Sequence, residues 1–180
     1  MPLFLKHKVL FIHIPKCGGT TFASRLEAAG DPPFMQVVDG SVMVNGHSPQ
    51  HLTWRELVRM GWITPPGFRV VALVRHPLDR VASAYRWVRV YRPDLARYTR
   101  SPRVFLKNFF SRNPARFAKF DQHNLGLLDF VCDAHGTIPP DIELWPLAQI
   151  DALLHSLDLP PVATHDRHYV TGGDDPFSPG

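Results

Sequence analysis

The sequence predicts a single α/β domain built on a parallel sheet with helices packed around it. Three observations lead there. Short apolar segments, Lys8 to Ile14 and Arg69 to Arg75, alternate with stretches of helical periodicity. Each of these two segments runs into a turn and then a helical pattern. The 180 residues, 44% hydrophobic and 20% charged, match one globular domain able to bury its own core.

Taken in order, Lys8-Val-Leu-Phe-Ile-His-Ile14 is apolar and β-branched, which suits a buried strand that Pro15 ends. Lys16-Cys-Gly-Gly-Thr-Thr21 forms the turn, and Phe22 to Ala29 the helix, with Gly30 as its C′ residue. Phe34 to Val38 is a second apolar strip of strand type. Ser48-Pro49 reads as an N-cap followed by Pro at N1, opening a helix to about Met60 with Trp54, Leu57 and Val58 on one face. Arg69-Val-Val-Ala-Leu-Val-Arg75 is the strongest strand. Pro77 opens a helix in which Leu78, Val81, Ala82, Tyr85 and Val88 recur at helical spacing. Further helices are expected near 102–111, 122–133 and 146–157. The domain is expected over 1–171, with 172–180 a flexible C-terminal tail. The turns at 15–21 and 75–77 fall at the carboxyl ends of strands, where parallel sheets bind ligands.

Cys17 and Cys132 are too few for a disulfide framework or a four-thiolate zinc site. His165 and His168 lack Cys or Glu partners, so no metal is expected. No apolar run is long enough to cross a bilayer and no leader pattern is evident, so a cytoplasmic location is expected. The net charge of +4 is unevenly spread. Residues 75–119 hold twelve Lys/Arg against Asp79 and Asp94, while 120–180 hold Arg167 against ten acids. The basic middle fits an anionic ligand or a solvated basic face. It carries no zinc-finger or RNP-type signature, so no nucleic-acid partner is expected.

The first turn has the parts of an anion site. Gly18 and Gly19 allow close backbone approach, and the N–H groups opening the helix carry partial positive charge. Thr20 and Thr21 add hydroxyls, and Lys16 a full charge. A Gly-rich turn with no ligand is the alternative. This is not a Walker A loop, in which Lys follows the glycines, and the strong strand ends in Arg75 where a magnesium-binding Asp would stand. A nucleotide kinase is therefore disfavoured. A Cys-based phosphatase is disfavoured too, because the position six residues after Cys17 is Ala23 and not Arg.

Phe11-Ile-His-Ile-Pro-Lys-Cys-Gly-Gly-Thr-Thr21 resembles the 5′-phosphosulfate loop of the sulfotransferases that use 3′-phosphoadenosine 5′-phosphosulfate (PAPS), F-I-H-I-P-K-T-G-G-T-[ST], with Cys17 in place of the usual Thr. Arg75-His-Pro-Leu-Asp-Arg-Val-Ala-Ser-Ala-Tyr85 resembles the family's 3′-phosphate motif, R-[DNH]-P-x-x-R-x-x-S-x-Y. The likeness is closest to the carbohydrate sulfotransferases, the heparan-sulfate 2-O type among them. Trp145 to Leu159 resembles the family's C-terminal helix.

The resemblance implies a P-loop-like domain and transfer of a sulfuryl group from PAPS, without metal, to a hydroxyl or amine of an acceptor. A glycan or a small hydroxyl compound is the acceptor class. Lys16 would stabilise charge on the bridging oxygen and act as acid. Cys17 (through its backbone), Gly18, Gly19, Thr20 and Thr21 would cradle the 5′-phosphosulfate. Arg75 and Ser83 would bind the 3′-phosphate. His47, on the Gly-containing loop before Ser48-Pro49, is the preferred general base, with His51 its competitor. His13 reads as a packed histidine and His76 as a turn residue. Arg80 has two candidate partners, Asp79 and the acid-rich tail. The rival class is a catalytically inactive nucleotide- or anion-binding module of the same fold.

Overall fold

The computed structural model describes residues 1–34, 48–111, 113, 115 and 120–162. Four strands form one sheet in the order β1 (Leu3–Phe4), β2 (Val9–Ile12), β3 (Arg69–Val74), β4 (Ile142–Pro146). β2, β3 and β4 run parallel, and only the short edge strand β1 is antiparallel. The helices are α1 (Gly19–Ala28), α2 (Trp54–Arg59), α3 (Pro77–Tyr91), α4 (Pro102–Phe109), α5 (Leu127–Val131) and α6 (Ile150–His155), joined by 3-10 turns at Pro49–His51, Pro93–Tyr98 and Leu147–Gln149. The result is a mixed α/β fold with a mostly parallel sheet flanked by helices. Among the described residues, no helix is long and apolar enough to cross a membrane.

All of β2 and the middle of β3 are buried, as expected of parallel strands covered on both faces. β4 alternates and leaves Leu144 partly exposed. The register pairs Ile12 with Ala72 and Val74 with Pro146, which puts the carboxyl ends of all three strands along one edge. Beneath the sheet, Phe22 of α1 stacks on Phe11 of β2 (centroids 4.6 Å apart) and meets Phe4 edge-on at 6.1 Å. A second cluster gathers Tyr85 and Val88 of α3, Leu95, Phe105 and Phe109 of α4, and Phe120.

The structure shifts several expected elements. The helix from Pro49 is two pieces. Pro49–His51 is a 3-10 turn, Leu52 is extended, and α2 starts afresh from Thr53. The cause is a reciprocal cap: the Thr53 hydroxyl accepts from the Glu56 N–H while the Glu56 carboxylate accepts from the Thr53 N–H. The helix expected over 122–133 shrinks to Leu127–Val131. Asp121 and Gln122 take left-handed φ of 44° and 61°, and the Asp129 carboxylate caps at the Gly126 N–H. Ile142–Pro146 is a strand, so the helix expected from 146 becomes a 3-10 turn and then α6. Phe34 makes a single bridge to Leu3. Residues 35–38 of the expected second strand, and the tail at 172–180, lie outside the described residues.

Phe22→Ala should remove about 3–5 kcal/mol of unfolding free energy, the usual cost of emptying a packed aromatic site. The half-exposed Arg69–Glu143 pair across β3 and β4 should matter far less: Arg69→Ala is expected to cost at most about 1 kcal/mol. Urea unfolding of the two variants measures both, and equal losses would mean the aromatic cluster is not the main support.

Candidate active site

The loop between β2 and α1 is shaped by sterics before any ligand is considered. Lys16 has φ of 66° and Gly18 of 85°, so the chain turns left-handed twice in three residues. The Cys17 N–H closes the turn on the Ile14 carbonyl at 3.3 Å. Gly18 is excluded from carrying a side chain both by its φ and by Leu147, whose Cδ1 would lie 2.4 Å from an added Cβ. Gly19 opens α1 with ordinary φ, but an added Cβ would meet His13 Cδ2 at 2.2 Å and Nε2 at 2.3 Å. Sequence reasoning assigned the glycines to anion approach. The structure shows they also let the loop nest between His13 and the 3-10 turn after β4.

A cleft of about 580 Å³ opens along the carboxyl edge of the sheet. The loop and α1 contribute Lys16, Gly18, Gly19, Thr20 and Thr21 to its wall. The end of β3 and the first turns of α3 contribute Arg75, His76, Asp79 and Ser83. The third side comes from Pro146 to Ala148, Ile150, Asp151 and Val162, which give it an apolar stretch. The size suits a nucleotide-sized ligand. Of the residues singled out in the sequence, Lys16, Gly18, Gly19, Thr20, Thr21, Arg75 and Ser83 all line this one cleft.

His13 and His76 line it too, whereas Cys17 and His51 do not. The Cys17 side chain points into the core at 1% exposure, and burial pushes its thiol up to about 11 against the pull of Arg80 and Arg75. Such a thiol is a poor nucleophile. His47 lies outside the described residues. His51 is buried behind His13, with ring centroids 4.9 Å apart, and is not part of the cleft wall. Its Nδ1 donates to the His13 carbonyl at 3.2 Å, and its Nε2 lies 3.9 Å from Asp121 Oδ2.

Around Lys16 the structure builds a stack that the sequence did not announce. The ammonium sits 5.2 Å from the Trp87 ring centroid. Trp87 lies 4.6 Å from His123, and His123 lies 5.2 Å from His51. Burial, and then repulsion by Arg75, lowers the Lys16 ammonium to about 8. His13 and His123 are held neutral chiefly by burial. His51, Asp121 and His123 bring ligand-type atoms within 4.8 Å of one another. Lys16 and Arg80 both repel positive charge at His123, which opposes a cation there.

Arg80 corrects an expectation. It pairs neither with Asp79 nor with an acid of the tail among the described residues. Instead it is buried, and it donates to three carbonyls: Nε to Pro15 at 2.9 Å, one terminal nitrogen to Leu125 at 2.6 Å, the other to His123 at 3.0 Å. Its spacing after Pro77 places it on the inward face of α3, a periodicity signal that its charge masked.

The sulfotransferase family model matches residues 4–147, and the chain belongs to that family. No curated protein and no solved structure matches it. The matched span runs from β1 to the turn after β4 and so contains nearly every wall of the cleft. The family's chemistry is transfer of a sulfuryl group to a hydroxyl or amine acceptor.

Gly19→Ala should destabilise the fold by about 1–3 kcal/mol, the usual penalty for overpacking, because its methyl must displace His13. Gly61→Ala is the contrast: its φ of 75° disfavours a side chain, yet nothing lies within 4 Å of the added methyl. Thermal melts without ligand should show a clash-driven loss for Gly19→Ala and only a strain-driven loss for Gly61→Ala. A Gly19→Ala protein that melts and binds like wild type would mean the His13 contact is soft.

Proposed function

We propose that the cleft binds PAPS and that the protein, through a P-loop-like domain over 1–171, transfers the sulfuryl group to a hydroxyl or amine of a carbohydrate acceptor. The observation that carries the reading is that the two motif loops, far apart in sequence, line a single cleft: Lys16 to Thr21 on one side, Arg75 and Ser83 on the other. PAPS supplies an activated sulfuryl group. Gly18 to Thr21 would hold its 5′ end through the N–H groups that open α1, where the helix dipole adds positive charge. Arg75 and Ser83 would hold the 3′-phosphate, the guanidinium as a fork and the hydroxyl as a single donor. Lys16 would place its ammonium at the oxygen on which charge develops. A group near 8 is mostly protonated at neutral pH and still acidic enough to give up its proton.

His47 is assigned the removal of the acceptor proton. The resemblance of Asn45-Gly46-His47 to the base-bearing stretch of the heparan-sulfate 2-O type supports it, and so does the position of His51 away from the cleft wall. The basic segment 86–119 favours an acceptor that is itself anionic, such as a glycan. No metal is assigned a role.

Adenosine 3′,5′-bisphosphate should raise the melting temperature in EDTA. At ~100 times its dissociation constant the gain should be roughly 2.7 kcal/mol. Arg75→Ala should weaken that ligand by about 1.5–3 kcal/mol and adenosine 5′-phosphate much less. Calorimetry on both ligands decides it, since equal losses would remove Arg75 from the 3′-phosphate.

His47→Ala should leave bisphosphate affinity intact and cut turnover by ~10²–10⁴-fold. His51→Ala should act mainly on stability, because its ring is packed between His13 and His123. The assay is sulfuryl transfer to a panel of glycans. Full turnover in the His47 variant would move the base elsewhere, while bisphosphate binding without transfer to any acceptor would favour the inactive binding module.

A further inference from the structure

Arg80 is 5% exposed, and among the described residues no carboxylate forms an ion pair with it. Asp129 attracts it only at a distance, and burying a guanidinium without a direct ion pair is costly, so its hydrogen bonds must do something that an apolar side chain could not. Those bonds converge from three segments of chain. The one to Pro15 is closest to the chemistry. It holds the carbonyl of the peptide that leads into Lys16, and Lys16 sits at φ 66°, a left-handed conformation that a lysine leaves unless it is held. The bonds to His123 and Leu125 fix the segment whose His123 ring stacks on Trp87, the ring over which the Lys16 ammonium lies. Thus one guanidinium anchors the backbone of Lys16 and the aromatic stack on which its side chain rests.

We propose that Arg80 is a positioning residue for Lys16: by holding the Pro15 carbonyl and the His123–Leu125 segment together it aims the Lys16 ammonium into the cleft. The proposal rests on the reading of Lys16 as the group that meets the leaving oxygen. Lysine at position 80 would keep the charge but cannot make three divergent bonds in a plane. The titratable groups around Lys16 are Arg75, Cys17, His13 and His123; Arg80 acts on Cys17 and His123, and Arg80→Lys retains that positive charge.

The experiment compares wild type, Arg80→Lys and Arg80→Ala by three readouts: calorimetry with adenosine 3′,5′-bisphosphate, turnover, and carbon-13 NMR titration of the Lys16 side chain, assigned through Lys16→Arg. Arg80→Lys is expected to bind the bisphosphate within about threefold of wild type and to lose turnover by ~10- to 100-fold, as a misplaced catalytic group does. Its Lys16 titration midpoint is expected to rise from about 8 toward the ordinary lysine range as the ammonium leaves its buried place. Millimolar guanidinium ion should restore part of the turnover of Arg80→Ala and none of that of Arg80→Lys. An unchanged Lys16 midpoint in Arg80→Lys would overturn the proposal. So would a loss of turnover matched by an equal loss of bisphosphate affinity, or collapse of both variants in circular dichroism, which would leave Arg80 a staple of the fold alone. The NMR titration needs no acceptor. A shifted midpoint in a chain whose wild type transfers no sulfuryl group would therefore uphold the placement of Lys16 and sink the functional reading instead.

Discussion

Everything at the functional edge depends on how closely the β2–α1 loop is allowed to approach its neighbours. Gly18 lies against Leu147 and Gly19 against His13, at separations that leave no room for a Cβ. Because both positions are bare, the short loop after β2 can fold tightly into α1, with Gly19, Thr20 and Thr21 of its first turn on the cleft wall. The same closeness binds the loop to the turn after β4, so the third side of the cleft is placed by the contact that shapes the first.

Electrostatics then follow from burial. The loop, the end of β3 and the start of α3 bring Lys16, Arg75 and Arg80 into one neighbourhood. The carboxylates in the cleft wall are Asp79 and Asp151, and Asp151 Oδ1 already accepts from the Val162 N–H. Burial is the main reason the Lys16 ammonium is lowered, and repulsion by Arg75 adds to it. An anion entering the cleft would relieve that repulsion. Cys17 feels the same field but is buried more deeply, and desolvation wins there, leaving a protonated, inert thiol.

α3 connects this edge to the rest of the molecule. Arg75 precedes it, and Ser83 and Arg80 face the cleft and the loop. Further along, Tyr85 and Val88 enter the second aromatic cluster with Phe105, Phe109 and Phe120. Burial of those rings fixes the rotation of α3 about its own axis, and that rotation decides which of its polar residues reach the cleft. A basic helix on a solvated face would need no such cluster behind it.

The amino-acid sequence alone determined the two buried strands at Val9–Ile12 and Arg69–Val74, the helices that follow them, and the cleft residues Lys16, Gly18 to Thr21, Arg75 and Ser83. Those features are encoded locally, in apolar runs, Gly and Pro punctuation and residue spacing. β4 was invisible because an edge strand of alternating burial, Ile142–Pro146, reads much like the start of a helix until a neighbour pairs with it. The split at Leu52 and the short α5 turned on a Thr53–Glu56 cap and on left-handed residues at 121 and 122, small terms that periodicity does not register. Only the tertiary structure decided that the Cys17 thiol faces the core, that His51 lies behind His13, and that Arg80 is buried on three carbonyls. The physical reason is the same in each case: a side chain's partners came from segments distant in sequence, and desolvation, which depends on the whole packed neighbourhood, outweighed what its residue type alone would suggest.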